Sequence, residues 1–143
     1  MSLWNRVISS TAPKWVALIR FMVGWVFLAE GYLKFHYPQD LGVGRFTTIG
    51  LPHPAILAPF VGTVEIVCGA ALIVGLLTRL ASIPLLFTIL VAIWTTKIPI
   101  IAHYGVWGAM HEGRVDFCML VGLVFLLIVG AGEWSVDKMM SSE

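Results

Sequence analysis

Residues 55–96 form one almost unbroken apolar run, AILAPFVGTVEIVCGAALIVGLLTRLASIPLLFTILVAIWTT, in which Glu65 and Arg79 are the only charged side chains. A helix needs about 20 apolar residues to cross roughly 30 Å of hydrocarbon. The run is therefore long enough for two crossings. Thr78 and Arg79 are its clearly polar break, so residues 55–77 and 80–96 are expected to be two membrane spans joined by a tight antiparallel turn. Pro54 opens the first, and Pro59 and Pro84 fall in first turns, where a missing amide proton is tolerated.

Working outward, residues 15–34 and 115–134 are two further stretches of suitable length, with Pro13 ahead of the first and Pro99 behind the third span. The expectation is an all-α protein, an integral membrane four-helix transmembrane bundle. It forms one domain over residues 1–143 and ends in a short polar tail, 135–143. Composition agrees: 59% of the 143 residues are hydrophobic and 12% charged, with mean hydropathy +0.92. Soluble domains lie near about 45–50% and about 25%, so the lipid bilayer is the expected surroundings. The N-terminal residues lack a small-residue cleavage site after a short apolar stretch, and no removable signal peptide is expected.

The net charge of +1 gives nothing for nucleic acid to bind. Cys68 and Cys118 lie inside apolar segments and fit buried small hydrophobes better than a redox pair, which would need them to meet in space. No nucleotide fingerprint, phosphate loop or haem-attachment motif is present. His111, Glu112 and Asp116 lack a spacing diagnostic of a metal, so neither metal nor nucleotide is expected.

Two long connections, FHYPQDLGVGRFTTIGLPHP (35–54) and IPIIAHYGVWGAMHEGR (98–114), follow odd-numbered spans. They are expected as loops on one side of the membrane, with both termini on the other. Positive charges are evenly divided, with Arg6, Lys14, Arg79 and Lys138 against Lys34, Arg45, Lys97 and Arg114. Arg20, near the terminal end of its span, tips the count towards cytoplasmic termini.

Charges within spans persist where they have a partner, a cavity or a task, and Arg20, Glu30, Lys34 and Glu65 stand out. Glu30 and Lys34 are spaced to pair on one helix face. Glu65 lies about 15 Å along its helix and needs a partner from another; either Arg20 or Lys34 can approach it. These charges either lock the helices together or make Glu65 a proton-handling carboxylate. All four histidines, His36, His53, His103 and His111, fall in the two long connections, with Tyr104 and Trp107 beside them. Such a face suits a quinone headgroup, whose carbonyl oxygens take donors and whose ring takes aromatic surface; it also suits ordinary interfacial packing.

The segments RFMVGWVFLAEGYLKF (20–35), GVGRF, GLPHP and VEIVCGAALIVGLLTRLASIPL (64–85) together resemble the DoxX family of small bacterial membrane proteins. The ordered set Arg20, Gly24, Gly31, Lys34, Glu65, Gly69, Gly75, Thr78 and Arg79 carries most of the likeness, and TTKIPI and HEGRVDF add to it. The resemblance implies a multi-pass protein of the bacterial inner (cytoplasmic) membrane. Within a quinone-linked oxidoreductase or respiratory assembly it would be a membrane subunit, with other subunits as partners. On this reading Glu65 and Glu30 are the catalytic candidates, while Arg20, Lys34, His103, His111 and Trp107 would bind quinone. Whether the chain is itself an enzyme stays open. The alternative is a non-catalytic scaffold or anchor whose charges hold the bundle. Architecturally related thiol oxidoreductases use a CxxC pair, absent here, which counts against thiol chemistry.

Overall fold

The computed structural model describes residues 3–141. Among them every regular element is helical: α1 (Leu3–Ile8), α2 (Val16–His36), α3 (Val43–Thr48), α4 (Pro54–Val74), α5 (Thr78–Ala92), a π-helical turn (Ile93–Lys97), α6 (Ile98–Glu112), α7 (Arg114–Val129) and α8 (Val136–Ser141). Three helical segments are long and apolar enough to cross a membrane: α2, α4 and the continuous stretch Thr78–Glu112. Their outward side chains, among them Leu18, Phe21, Ile56, Phe60 and Phe87, are all more than half exposed. A surface this apolar belongs in lipid. The fourth expected span corresponds to α7, which has 16 residues and stops at Val129, short of the 134 expected.

α2 and α4 run antiparallel, because Gly24 lies against Gly69 and Gly31 against Gly62. A Cβ on Gly24 would stand 2.6 Å from the Gly69 carbonyl oxygen, and one on Gly31 2.6 Å from that of Gly62. Small residues let the backbones approach where lipid offers no hydrophobic drive for helix association. Gly24→Ala is therefore expected to push the helices apart and cost about 1–3 kcal/mol, since a backbone oxygen cannot move aside as a side chain can. Thermal unfolding in detergent checks this; a melting temperature equal to the parent's would contradict it. Val23, Leu72, Leu85, Leu123 and Leu126, one or two from each of α2, α4, α5 and α7, are fully buried and fill the centre.

The bundle has two unlike ends. At the terminal end α4 turns into α5 through left-handed Gly75 (φ 73°) and Leu77 (φ 48°). The Asp137 carboxylate accepts hydrogen bonds there from the backbone N–H of Leu77 at 2.6 Å and Thr78 at 2.9 Å. These are orphan donors of the α5 first turn. Arg79 closes the same end: its Nε donates to the carbonyl of Leu127, Nη1 to those of Arg6 and Ser9, and Nη2 to those of Ile128 and Val129. One guanidinium thus satisfies carbonyls at the C-terminal ends of α1 and α7. Of the segment expected as a polar tail, residues 135–141 are built into the fold, with Ser135 and Asp137 buried, while Ser142 and Glu143 lie outside the described residues. The segment is held by Glu133 N–H donating to Ala12 O and Asp137 N–H to Gly75 O.

The far end differs from expectation as well. The connection 98–114, expected as a loop, is helical, and α5 continues through the π-turn into α6. Gly105 breaks α6 at φ 70°, ψ −179°, and the chain returns, since a Cβ on Gly113 would stand 3.7 Å from Lys97 Cγ and Lys97 pairs with Asp116 at 3.3 Å. α6 is thus a helical excursion folded at Gly105, and none of its residues is buried. In the connection 35–54, α3 follows its N-cap Gly42 and contains Gly44 in its first turn. These glycines let backbone pass close: a Cβ on Gly42 would strike the Lys34 carbonyl and one on Gly44 that of Gln39.

Candidate functional site

Lys34 is two residues from the end of α2, and its long side chain reaches back along the bundle. Its Nζ lies 2.7 Å from Glu65 Oε2 and 3.9 Å from Glu30 Oε2. The Lys34 and Glu65 side chains are 12% and 5% exposed while that of Glu30 is 53% exposed. The three groups form a chain from the bundle surface to its interior. Antiparallel packing makes this possible, because Gly31, one turn before Lys34, lies against Glu65: a Cβ there would be 2.9 Å from Glu65 Cβ. A side chain at position 31 would collide with Glu65 and with the Gly62 carbonyl.

The expected choice of partner for Glu65 resolves to Lys34. Arg20 does not join the group. It lies about 15 Å back along α2 from Glu30 at the helical rise per residue, buried at 3% exposure at the terminal end. There its Nη2 donates to the carbonyl of Trp134 at 2.5 Å, over Gly75 and in the field of Asp137. Arg20 is thus engaged at the terminal end by the Trp134 carbonyl and does not stand beside Glu65.

The histidines do share the far end, yet they do not converge on Glu65. His36 closes α2, stacked on Tyr32 at 5.6 Å and edge-on to Tyr37 at 4.6 Å. His53 precedes α4 at φ 46°. His103, Trp107 and His111 lie on α6 on either side of Gly105, all exposed. Among the described residues no hydrogen bond, ion pair or ring contact ties those three to Lys34 or Glu65. Nor does any group of three or more His, Cys, Asp or Glu side chains come together to hold a metal ion. Cys118 is exposed and Cys68 partly so, and both are free thiols.

Chemically, a buried carboxylate joined to an ammonium and then to an exposed carboxylate can pass a proton between lipid-facing surface and interior. Two carboxylates share one ammonium, and the carboxylate with more exposure, Glu30, lies nearer the end of α2. Neither the cavity beside Arg79 nor the one beside Arg45 is lined by a member of the trio. Asp137 and the full reach of Arg79 are the positions that sequence reasoning missed. No local signal marked Asp137, because the amides that it caps are 59 and 60 residues away.

Residues 15–98 match the DoxX family. An uncharacterized membrane protein of Mycobacterium tuberculosis is 45% identical over 144 residues, covering 96% of this chain and 88% of its own length. A Bacillus subtilis protein provisionally named oxidoreductase CatD is 26% identical over 120 residues, covering 84% of this chain and 82% of its own. No solved structure matches. The family match takes in α2 to α5 and the π-turn, and stops where α6 begins, whereas the mycobacterial likeness extends over almost the whole chain.

Proposed function

The chain belongs to the DoxX family of membrane proteins, and from that premise we propose that it is the membrane subunit of a quinone-linked oxidoreductase assembly in a bacterial inner membrane. Its termini face the cytoplasm, and the Glu30–Lys34–Glu65 trio is its site. The observation that carries the reading is the Lys34–Glu65 pair, 2.7 Å apart and buried between two membrane-spanning helices. The oxidoreductase description of the Bacillus subtilis relative supports it.

The residues fit a quinone carbonyl in donor and acceptor terms. Lys34 has three N–H donors; its contact to Glu65 is short, but those to the Glu30 carbonyl (3.5 Å) and carboxylate (3.9 Å) are long and easily exchanged for a better acceptor. A bound quinone would supply electron acceptance, with the electrons coming from a redox partner subunit. This chain would supply orientation through Lys34 and protons through Glu65, replenished by Glu30 at the surface. The exposed α6, with Trp107 and Tyr104 near its fold, offers that subunit a docking face.

Gentle detergent extraction from native membranes, with mass spectrometry of copurifying lipids and polypeptides, tests this. Quinone near one per chain is expected, falling about tenfold or more in Glu65→Gln, the scale of losing a charge-assisted hydrogen bond. Assembly should persist in that variant, because Glu30 still compensates Lys34. Partners without quinone in the parent protein would favour the scaffold reading, which the internal hydrogen bonding of Arg79 and Asp137 already suits.

A further inference from the structure

A second polar site lies at the far end, apart from the trio. A cavity of about 500 Å³ opens between residues 39–49 and the π-turn, its wall carrying Gln39, Asp40, Arg45, Thr48, Thr95 and Thr96. The threonines have spent their hydrogens: Thr48 Oγ1 donates to Gly44 O at 3.0 Å, Thr95 to Val91 O at 2.8 Å and Thr96 to Ala92 O at 2.6 Å. Each is left with lone pairs only. With the Asp40 carboxylate, the wall becomes a set of acceptors that calls for N–H donors.

Arg45 supplies the opposite character. It and Asp40 line the same cavity, five residues apart, yet no ion pair within 4 Å joins them to each other or to any other described residue. An anionic and a cationic group facing one space without neutralising each other ask for a ligand carrying both signs. Position narrows it further. The cavity lies beyond the C-terminal end of α2, the depth at which a bilayer places its headgroups. The π-turn that contributes Thr95 and Thr96 is a rare element, found often at functional sites.

We propose that this cavity binds a zwitterionic aminophosphate, the primary ammonium and phosphate of an ethanolamine phospholipid headgroup or its water-soluble counterpart. The phosphate sits on Arg45, and the ammonium donates its N–H groups to Asp40 and the threonine oxygens. A choline headgroup has equal charge but no N–H, and a glycerol headgroup has no cation. The site therefore discriminates by hydrogen bonding as well as by charge.

The test uses the full chain in detergent micelles, with native mass spectrometry of retained short-chain phosphatidylethanolamine, phosphatidylcholine and phosphatidylglycerol. Ethanolamine lipid is expected to bind about tenfold or more tightly than either of the others, the scale of one charge-assisted hydrogen bond. Asp40→Asn should reduce the ethanolamine-over-choline ratio to about threefold or less, and Arg45→Gln should weaken both lipids alike. Both positions are exposed, so unchanged melting temperatures confirm that the variants fold. Free phosphoethanolamine that displaces the lipid at equal concentration would identify a soluble ligand; lipid that resists it identifies the membrane as the source. Equal retention of ethanolamine and choline lipids by the parent protein, or an undiminished preference in Asp40→Asn, overturns the proposal.

Discussion

Lys34→Met is expected to destabilise the bundle by about 3–5 kcal/mol, the usual cost of removing one partner from a buried ion pair. The substitution leaves Glu65, 4% exposed, facing Glu30 with no cation between them. The pair itself adds little stability, because the cost of desolvating two charges offsets most of their attraction. It follows that Lys34→Met combined with Glu65→Leu should regain most of what the single change loses. Reversible unfolding in mixed micelles, followed by tryptophan fluorescence, measures both. A single variant as stable as the parent, or a double variant worse than the single, would refute the burial argument. The double variant also separates fold from function. If it is stable but carries no quinone, the charges serve the ligand; if it still carries quinone, the trio is not the site.

The second large effect is expected from Asp137→Ala, again about 3–5 kcal/mol. Losing the cap from two α5 amides accounts for about 0.5–2 kcal/mol. The rest comes from leaving the buried Thr78 N–H without its acceptor, about 1–3 kcal/mol, and from the lost attraction of the Asp137 charge for buried Arg20. Because the Asp137 carboxylate also ties the tail to the α4–α5 turn, through the N–H groups of Leu77 and Thr78, the segment from Glu133 onward should open. Limited proteolysis after Lys138 is expected to accelerate about tenfold or more once the local opening free energy drops by about 1.4 kcal/mol. Cleavage at the parent's rate, with parental stability, would show that the tail is held by other contacts. Asp137→Asn, which keeps one carbonyl acceptor, should fall between the two.

The spans α2, α4 and α5 were legible in the sequence because lipid imposes a length, and apolar runs bounded by Pro13, Pro54 and the Thr78–Arg79 break announce it. The need of Glu65 for a cross-helix partner was legible for the same reason, but the partner was not. Arg20 and Lys34 have equal charge, and only the Gly31–Gly62 register brings one of them alongside. Arg20 went elsewhere because its acceptor is a backbone carbonyl, at Trp134, and carbonyls leave no mark in a sequence. α6 was hidden by its own composition: Gly105 and Gly108 interrupt it, and its mixture of His, Tyr, Trp and Ile has the look of an interfacial loop. α7 ended early because Gly130 and Gly132 turn the chain at positive φ, so that Gly132 passes Pro13; that close approach is tertiary information.

The Asp137 cap also constrains biogenesis. Thr78 and the carboxylate that receives its amide are 59 residues apart, so while the α4–α5 hairpin is entering the bilayer its cap is still unmade on the ribosome. Insertion must therefore proceed with the α5 first-turn amides solvated at the membrane surface. The final locking of the bundle waits for the tail to emerge and dock, a step that belongs after translocation rather than during it.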